Sequence, residues 1–317
     1  MIRHVLAVLL FLSICGNVFL YSEVANNQPA QSQIQKEYSY LSKRIFVDNQ
    51  NDILINFIPL RRAIREYVGL ANKPSSSAST LGVYFEYLPS GTSIGVNEKD
   101  EVALVSLSKV PLVMSIYKKI ERGNLSKTDI LTIKREHLNQ DFGELWKRGE
   151  GAQLSVEELV QLALVDSDNT AYNVLSDELT AQELNEVYEG LDVQLTLAGE
   201  SLLVSPKSYS SIFRSLYLSS FLSEQSSNDI LNILTTTPFN DKLDAGVPAD
   251  IKLAHKIGVF EIQDASQDVF IDCGITYVPN RPYILCIFVK GTNEQAQQHM
   301  SAISKMVYEY IRIVKGE

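Results

Sequence analysis

The chain has 317 residues, 45% of them hydrophobic and 21% charged, the balance of a globular protein able to bury a substantial core. Its formal net charge is −10 and no block of basic residues appears, so the composition excludes a nucleic-acid partner. Cys15, Cys273 and Cys286 are too few for a disulfide framework and the four histidines show no paired ligand spacing, so no metal or organic cofactor is expected.

Arg3 and His4 precede an apolar run from Val5 to Tyr21, the charge-then-hydrophobic order of an export signal. Residues 1–25 are therefore expected to be either a cleaved signal or a membrane anchor acting through residues 5–21. The protein is then periplasmic, or anchored outside the cytoplasm. A stretch rich in Asn, Gln and Ser follows, and residues 26–50 are expected to be a polar tether ahead of a folded domain over 51–317. Apolar residues at helical spacing from Ile53 to Val68 predict a first helix, ended by Pro74-Ser75-Ser76-Ser77. Leu81 to Leu88 alternates, and Pro89-Ser90-Gly91 turns the chain into Thr92 to Val96, which predicts a hairpin.

From Ser106 to about Leu222 the periodicity is helical in several pieces, one of them opened by the capping-box pair Ser155 and Glu158. Strands return as Ile251 to Ile257, Val269 to Val278 and Tyr283 to Lys290, and an amphipathic helix follows over Glu294 to Ile313. Strands at both ends around a helical middle predict an α/β (α+β) architecture with one sheet built from both termini. Cys273 and Cys286 fall on the last two strands, across the turn Pro279-Asn280-Arg281-Pro282. Directly opposed strand cysteines rarely make unstrained bridges, so two packed free thiols are expected. No interface is legible, and a monomer is the default expectation.

Ser106-Leu107-Ser108-Lys109 puts a serine one helical turn from an amine able to take its proton, a way to make a nucleophilic serine without histidine. Ser115-Ile116-Tyr117-Lys118 repeats the pattern, but Ser115 falls well inside the predicted helix with no open cleft to face. The nucleophile is therefore assigned to Ser106, near a helix start whose dipole favours developing negative charge, and the base to Lys109. Lys109 must be neutral to accept a proton, and burial or a second cation nearby lowers its pKa.

Ser167-Asp168-Asn169 and Lys256-Ile257-Gly258 follow in order. With Ser106 and Lys109 they resemble the S-x-x-K, S-D-N and K-T-G segments of class A β-lactamases and penicillin-binding proteins. The resemblance runs from roughly Leu60 to Ile313, through Gly82-Val83-Tyr84-Phe85-Glu86, Asp168-Asn169-Thr170-Ala171 and His255-Lys256-Ile257-Gly258. It implies a β-lactamase/DD-peptidase-like fold: an antiparallel sheet flanked by helices, an inserted helical subdomain, and the site in the cleft between them. It also implies roles. Ser167 hands a proton to the leaving nitrogen, and Asn169 hydrogen-bonds the substrate's amide side chain. Lys256 attracts a substrate carboxylate and stands as the second cation beside Lys109, while Gly258 lets substrate approach the strand. The backbone N–H groups of Ser106 and Val259 form the oxyanion hole.

Two departures bear on the activity. Ile257 stands where the resemblance implies Thr or Ser, removing a hydroxyl that would help hold a carboxylate. Class A β-lactamases also carry a Glu-x-x-Leu-Asn segment whose glutamate activates the deacylating water, and this chain has none. In the shortened stretch Leu191 to Pro206 the only glutamate is Glu200, a candidate deacylation base that reads more readily as an exposed loop carboxylate. The expected function is an exported serine hydrolase that opens β-lactam amides through a Ser106 acyl-enzyme, an antibiotic-resistance activity. The alternatives are a D-alanyl-D-alanine peptidase acting on peptidoglycan peptide, or a slowly deacylating β-lactam or cell-wall sensor.

Overall fold

The computed structural model describes residues 39–40, 55–72, 80–199, 201–262 and 264–314. The proposed export segment and nearly all of the tether lie outside the described residues, as does Glu200. No helix among the described residues is long and apolar enough to cross a membrane.

Helix α1 (Ile58–Ala71) buries Leu60, Ile64 and Val68, one residue per turn, and starts later than the apolar spacing predicts because Pro59 occupies its first turn. The hairpin of β1 (Thr80–Tyr87) and β2 (Thr92–Val96) follows, turning at Gly91 with φ 70°. A two-residue strand β3 (Val102–Ala103) leads through a 3-10 turn at Val105–Ser108 into α2 (Lys109–Glu121). The helical layer continues through a short ribbon of β4 (Ile130–Thr132) and β5 (Gln153–Ser155) to α3 (Val156–Val165), where the Ser155/Glu158 capping box forms. Helix α4 (Asn169–Ser176) is capped by Asp168, and α5 (Ala181–Gly190) by Thr180. Strands β6 (Thr196–Ala198) and β7 (Ser201–Val204) precede α6 (Pro206–Leu218) and α7 (Glu224–Leu234). The chain closes with β8 (Leu253–Phe260), β9 (Val269–Thr276), β10 (Tyr283–Lys290) and α8 (Asn293–Ile313).

The main sheet runs β2-β1-β10-β9-β8, all antiparallel, so the two ends of the chain meet where β1 pairs β10. Helices α1 and α8 pack on one face and α6 on the other. With both faces covered, β9 is buried along its whole length and β1 along all but its first residue, Glu86 and Asp272 included. Phe57, Leu60, Phe85, Tyr283, Met300 and Val307 belong to the core between the sheet and the two terminal helices.

The stretch Leu191 to Pro206 carries strands that were not anticipated: β7 pairs with both β6 and β3, and the Leu104 N–H donates to the Leu202 carbonyl at 2.8 Å. Strands of two to four residues are too short to show a period, so this small sheet left no pattern to read. Cys273 and Cys286, expected as free thiols, form a disulfide. They are directly paired across β9 and β10 with Cα atoms 4.0 Å apart, the close spacing of a non-hydrogen-bonded pair, and that register brings the sulfurs together.

Helix α6 is tied to the sheet by a charged contact. Arg214 Nε donates to Glu86 Oε1 at 2.7 Å, its Nη2 donates to the other carboxylate oxygen, and the Tyr84 hydroxyl donates to Glu86 Oε2 at 3.0 Å. Glu86 is buried, whereas Arg214 keeps a third of its side chain exposed. Arg214→Ala leaves a buried carboxylate without its cation and is expected to lower the unfolding free energy by about 2–3 kcal/mol, with the partial exposure holding the loss below that of a fully buried pair. Urea denaturation of the two proteins checks this, and an unchanged midpoint would show that the contact carries no stability.

Candidate active site

Ser106 sits on the 3-10 turn, half-buried, at the point where β3 gives way to α2. Val105 before it has φ 37°, in the left-handed region, where a β-branched side chain is strained. The neighbours hold it there. A Cβ on Gly258 would lie 2.7 Å from Val105 Cγ2, so the bare backbone of β8 makes room for this side chain. Gly258 thereby also acts on the turn that carries the nucleophile. On the other side the buried Tyr209 hydroxyl donates to the Leu107 carbonyl at 2.8 Å.

Lys109 opens α2 and is 3% exposed. Its Nζ lies 2.9 Å from Ser106 Oγ and donates to Asn169 Oδ1 at 2.7 Å, with the Tyr172 ring 5.5 Å away. Burial lowers its pKa to about 8, against the opposing charge of Asp168.

The loop between α3 and α4 supplies the next two groups. Ser167 is buried and also left-handed, at φ 56°. Asp168 accepts from the Ala171 N–H as helix cap and from the Leu145 N–H, both at 2.8 Å. Gly143 lies so close that a Cβ there would meet the Asp168 carboxylate at 2.1 Å. The segment around 139–145 is thereby laced to α4, and Asn139 Oδ1 accepts from Asn169 Nδ2 at 3.1 Å, which turns the Asn169 carbonyl toward Lys109.

Lys256, on β8 and 1% exposed, donates to Ser167 Oγ at 2.8 Å and to the Ile257 carbonyl at 3.2 Å. Its pKa falls well below the ordinary lysine value, first because of burial and then because of the Lys109 charge, with Asp272 opposing. Burial, rather than a push from Lys256, is thus the leading cause at Lys109. Neighbouring His255 is turned to Asp272, with Nδ1 2.8 Å from Oδ1, and lines the strand.

Strand β8 is an edge of the sheet. The close Cys273–Cys286 pair directs the backbone groups of Cys273 toward β8, making Lys256 opposite it a hydrogen-bonded partner. Alternation then leaves the N–H of Val259 on the free edge, and β8 packs directly against the turn bearing Ser106. The buried Ile257 brings no hydroxyl to this edge.

Ser106, Lys109 and Asn169 are thus joined by hydrogen bonds, Ser167 and Lys256 form a second bonded pair, and Gly258 and Val259 lie on the strand beside the nucleophile's turn. Val105, Asn139, Tyr172 and Tyr209 were missed. Of these only Tyr172, one helical turn after Asn169, carried a signal in its spacing. Among the described residues no cluster of three or more His, Cys, Asp or Glu is placed to hold a metal ion.

Comparison with known proteins agrees with this arrangement. The profile of the β-lactamase enzyme family matches residues 59–311. The chain is 22% identical to β-lactamase VEB-1 of Pseudomonas aeruginosa over 69% of its own length and 81% of that protein's. It is 23% identical to a β-lactamase of Streptomyces albus G, over 72% of this chain and 77% of the other. Among solved structures, PBP-A superposes with a TM-score of 0.71 at 25% identity, covering 80% of this chain and 96% of PBP-A, and a PBP-A mutant has been solved as its acyl-enzyme with penicillin G. With the family profile spanning the whole sheet and helical layer, this chain belongs to the β-lactamase enzyme family of serine hydrolases.

Proposed function

We propose that the protein is an exported hydrolase of β-lactam amides, acting through an acyl-enzyme on Ser106. The observation that carries the reading is the 2.9 Å separation of Lys109 Nζ from Ser106 Oγ inside a site where burial favours the neutral amine. When Lys109 is charged it donates to Ser106; when neutral it accepts, and the hydroxyl proton passes to Nζ as Oγ attacks the carbonyl carbon. The oxyanion so formed faces the N–H groups of Ser106 and Val259. Collapse breaks the C–N bond, Ser167 gives its proton to the leaving nitrogen, and the Lys256 amine 2.8 Å away can replace it. Water then cleaves the ester, releasing the acid and restoring the Ser106 hydroxyl. Export rests on the charged and apolar N-terminal sequence.

A D-alanyl peptidase is the second reading, favoured by one observation. Among the described residues the hydrogen-bond partners of Lys109 are Ser106 and Asn169, with no carboxylate bonded to either Lys109 or Ser106. Acylation is then provided for more fully than release.

Intact-mass measurement over time, with residues 26–317 and a penicillin, separates these readings. Rapid return to the free mass is expected of a β-lactamase, with Glu200→Gln lengthening the adduct's life if that carboxylate activates water. A persistent adduct favours the peptidase. Ser106→Ala is expected to show no adduct, and an adduct on that variant would remove Ser106 from the mechanism.

The acylation rate should depend on pH through Lys109. Its neutral form is the base, so with a pKa of about 8 the rate rises about tenfold per unit below that pH and levels off above it. Stopped-flow acylation between pH 6 and 10 reads the profile directly; a flat profile would exclude Lys109 as the base. Lys109→Ala is expected to lose on the order of 100-fold or more.

A further inference from the structure

A cavity of about 590 Å³ lies against the turn that carries Ser106, with Leu104 and Ser108 in its wall. Ser108, two residues after the nucleophile, and Tyr172, whose ring faces the Lys109 amine, are part of its wall. No residue of β8 lines it, so it lies away from Lys256. If Lys256 takes a carboxylate on the leaving-group side of the scissile amide, the part of the substrate on the carbonyl side is directed toward this cavity.

The cavity is shaped for a particular kind of group. Leu104, Leu184 and Leu202 give it apolar walls. Tyr188 lines it at 7% exposure, and its hydroxyl has no hydrogen-bond partner among the described residues. Burial pushes the Tyr188 phenol's pKa up, so the group stays a neutral donor and acceptor. Glu189 and Asp192 stand exposed on its rim without an ion-pair partner among the described residues, and no lysine or arginine lines it. Apolar walls, a phenol hydroxyl without a hydrogen-bond partner and two exposed carboxylates together suit an ammonium on a short hydrocarbon arm.

We propose that this cavity binds an amine-bearing side chain on the acyl part of the substrate. The inference rests on the reading of Ser106 as the acylated nucleophile and names the substrate class: amides whose carbonyl side carries a positive charge, such as an amino-substituted penicillin or a peptide with a free side-chain or terminal amine.

The test uses three penicillins with a common nucleus whose phenylacetyl side chains are α-amino, unsubstituted or α-carboxy, with second-order acylation followed by intact mass at pH 7. The cationic compound is expected to acylate at least tenfold faster than the anionic one, with the neutral compound between them, and the spread should narrow as salt is raised. In the double variant Glu189→Gln/Asp192→Asn the three rates should come within about twofold of one another. Tyr188→Phe should reduce the preference for the cationic compound while the protein keeps its thermal midpoint. Equal rates for the three compounds on the unaltered protein would overturn the cavity's role and leave acylation at Ser106 standing. Absence of any adduct together with absence of hydrolysis for all three would overturn both.

Discussion

Burying two lysine amines within hydrogen-bonding distance of two serines is the constraint on which this structure turns. A buried ammonium without partners costs many kcal/mol, so Lys109 and Lys256 persist inside only because each has fixed oxygen atoms to bond and a lowered pKa. Those oxygens come from three separate parts of the chain: the turn before α2, the loop before α4 and the edge strand β8. Each is pinned by contacts that do no chemistry. Asp168 bonds two backbone N–H groups, Tyr209 holds the Leu107 carbonyl, and Gly258 leaves space for Val105. The left-handed Val105 and Ser167 flank the reacting groups in conformations that the surrounding packing over-determines.

The limits of sequence reading follow from the range of these interactions. Thr92–Val96 and Tyr283–Lys290 were legible to the residue because β-formers run between turn signals at both ends. The start of α1 was not, since Pro59 cuts across an apolar spacing that continues on its far side. Ser106, Lys109, Ser167, Asn169 and Lys256 were readable because their chemistry is expressed in short local spacings. What holds them is contact between distant segments. A valine advertises an extended backbone, and nothing in its neighbours announces that a glycine on β8 will let it be left-handed. The cysteines show the same limit: their pairing across the strands was plain, but the closeness of that pair depends on which backbone groups face which neighbour.

The two amines also give the site an electrostatic direction. The mutual repulsion of Lys109 and Lys256 adds to the cost of burying them, and at Lys256 it joins burial in lowering the pKa. A carboxylate arriving beside Lys256 relieves that cost, so part of the unfavourable energy of the free site becomes affinity for an anionic group on the leaving side. The cavity against the turn that carries Ser106 has the opposite character, with two carboxylates on its rim and no cation in its lining. A substrate matched to both ends carries negative charge beyond the nitrogen of the scissile amide and positive charge beyond its carbonyl. On the proposed reading a ring-opened β-lactam keeps its amine tethered to the acyl group, so both charged ends stay on Ser106 after the C–N bond breaks, whereas a linear peptide loses its carboxylate end. The proposed acyl-side contacts and Lys256 therefore both act on how long a β-lactam acyl-enzyme is held, whereas with a linear peptide only the acyl-side contacts do.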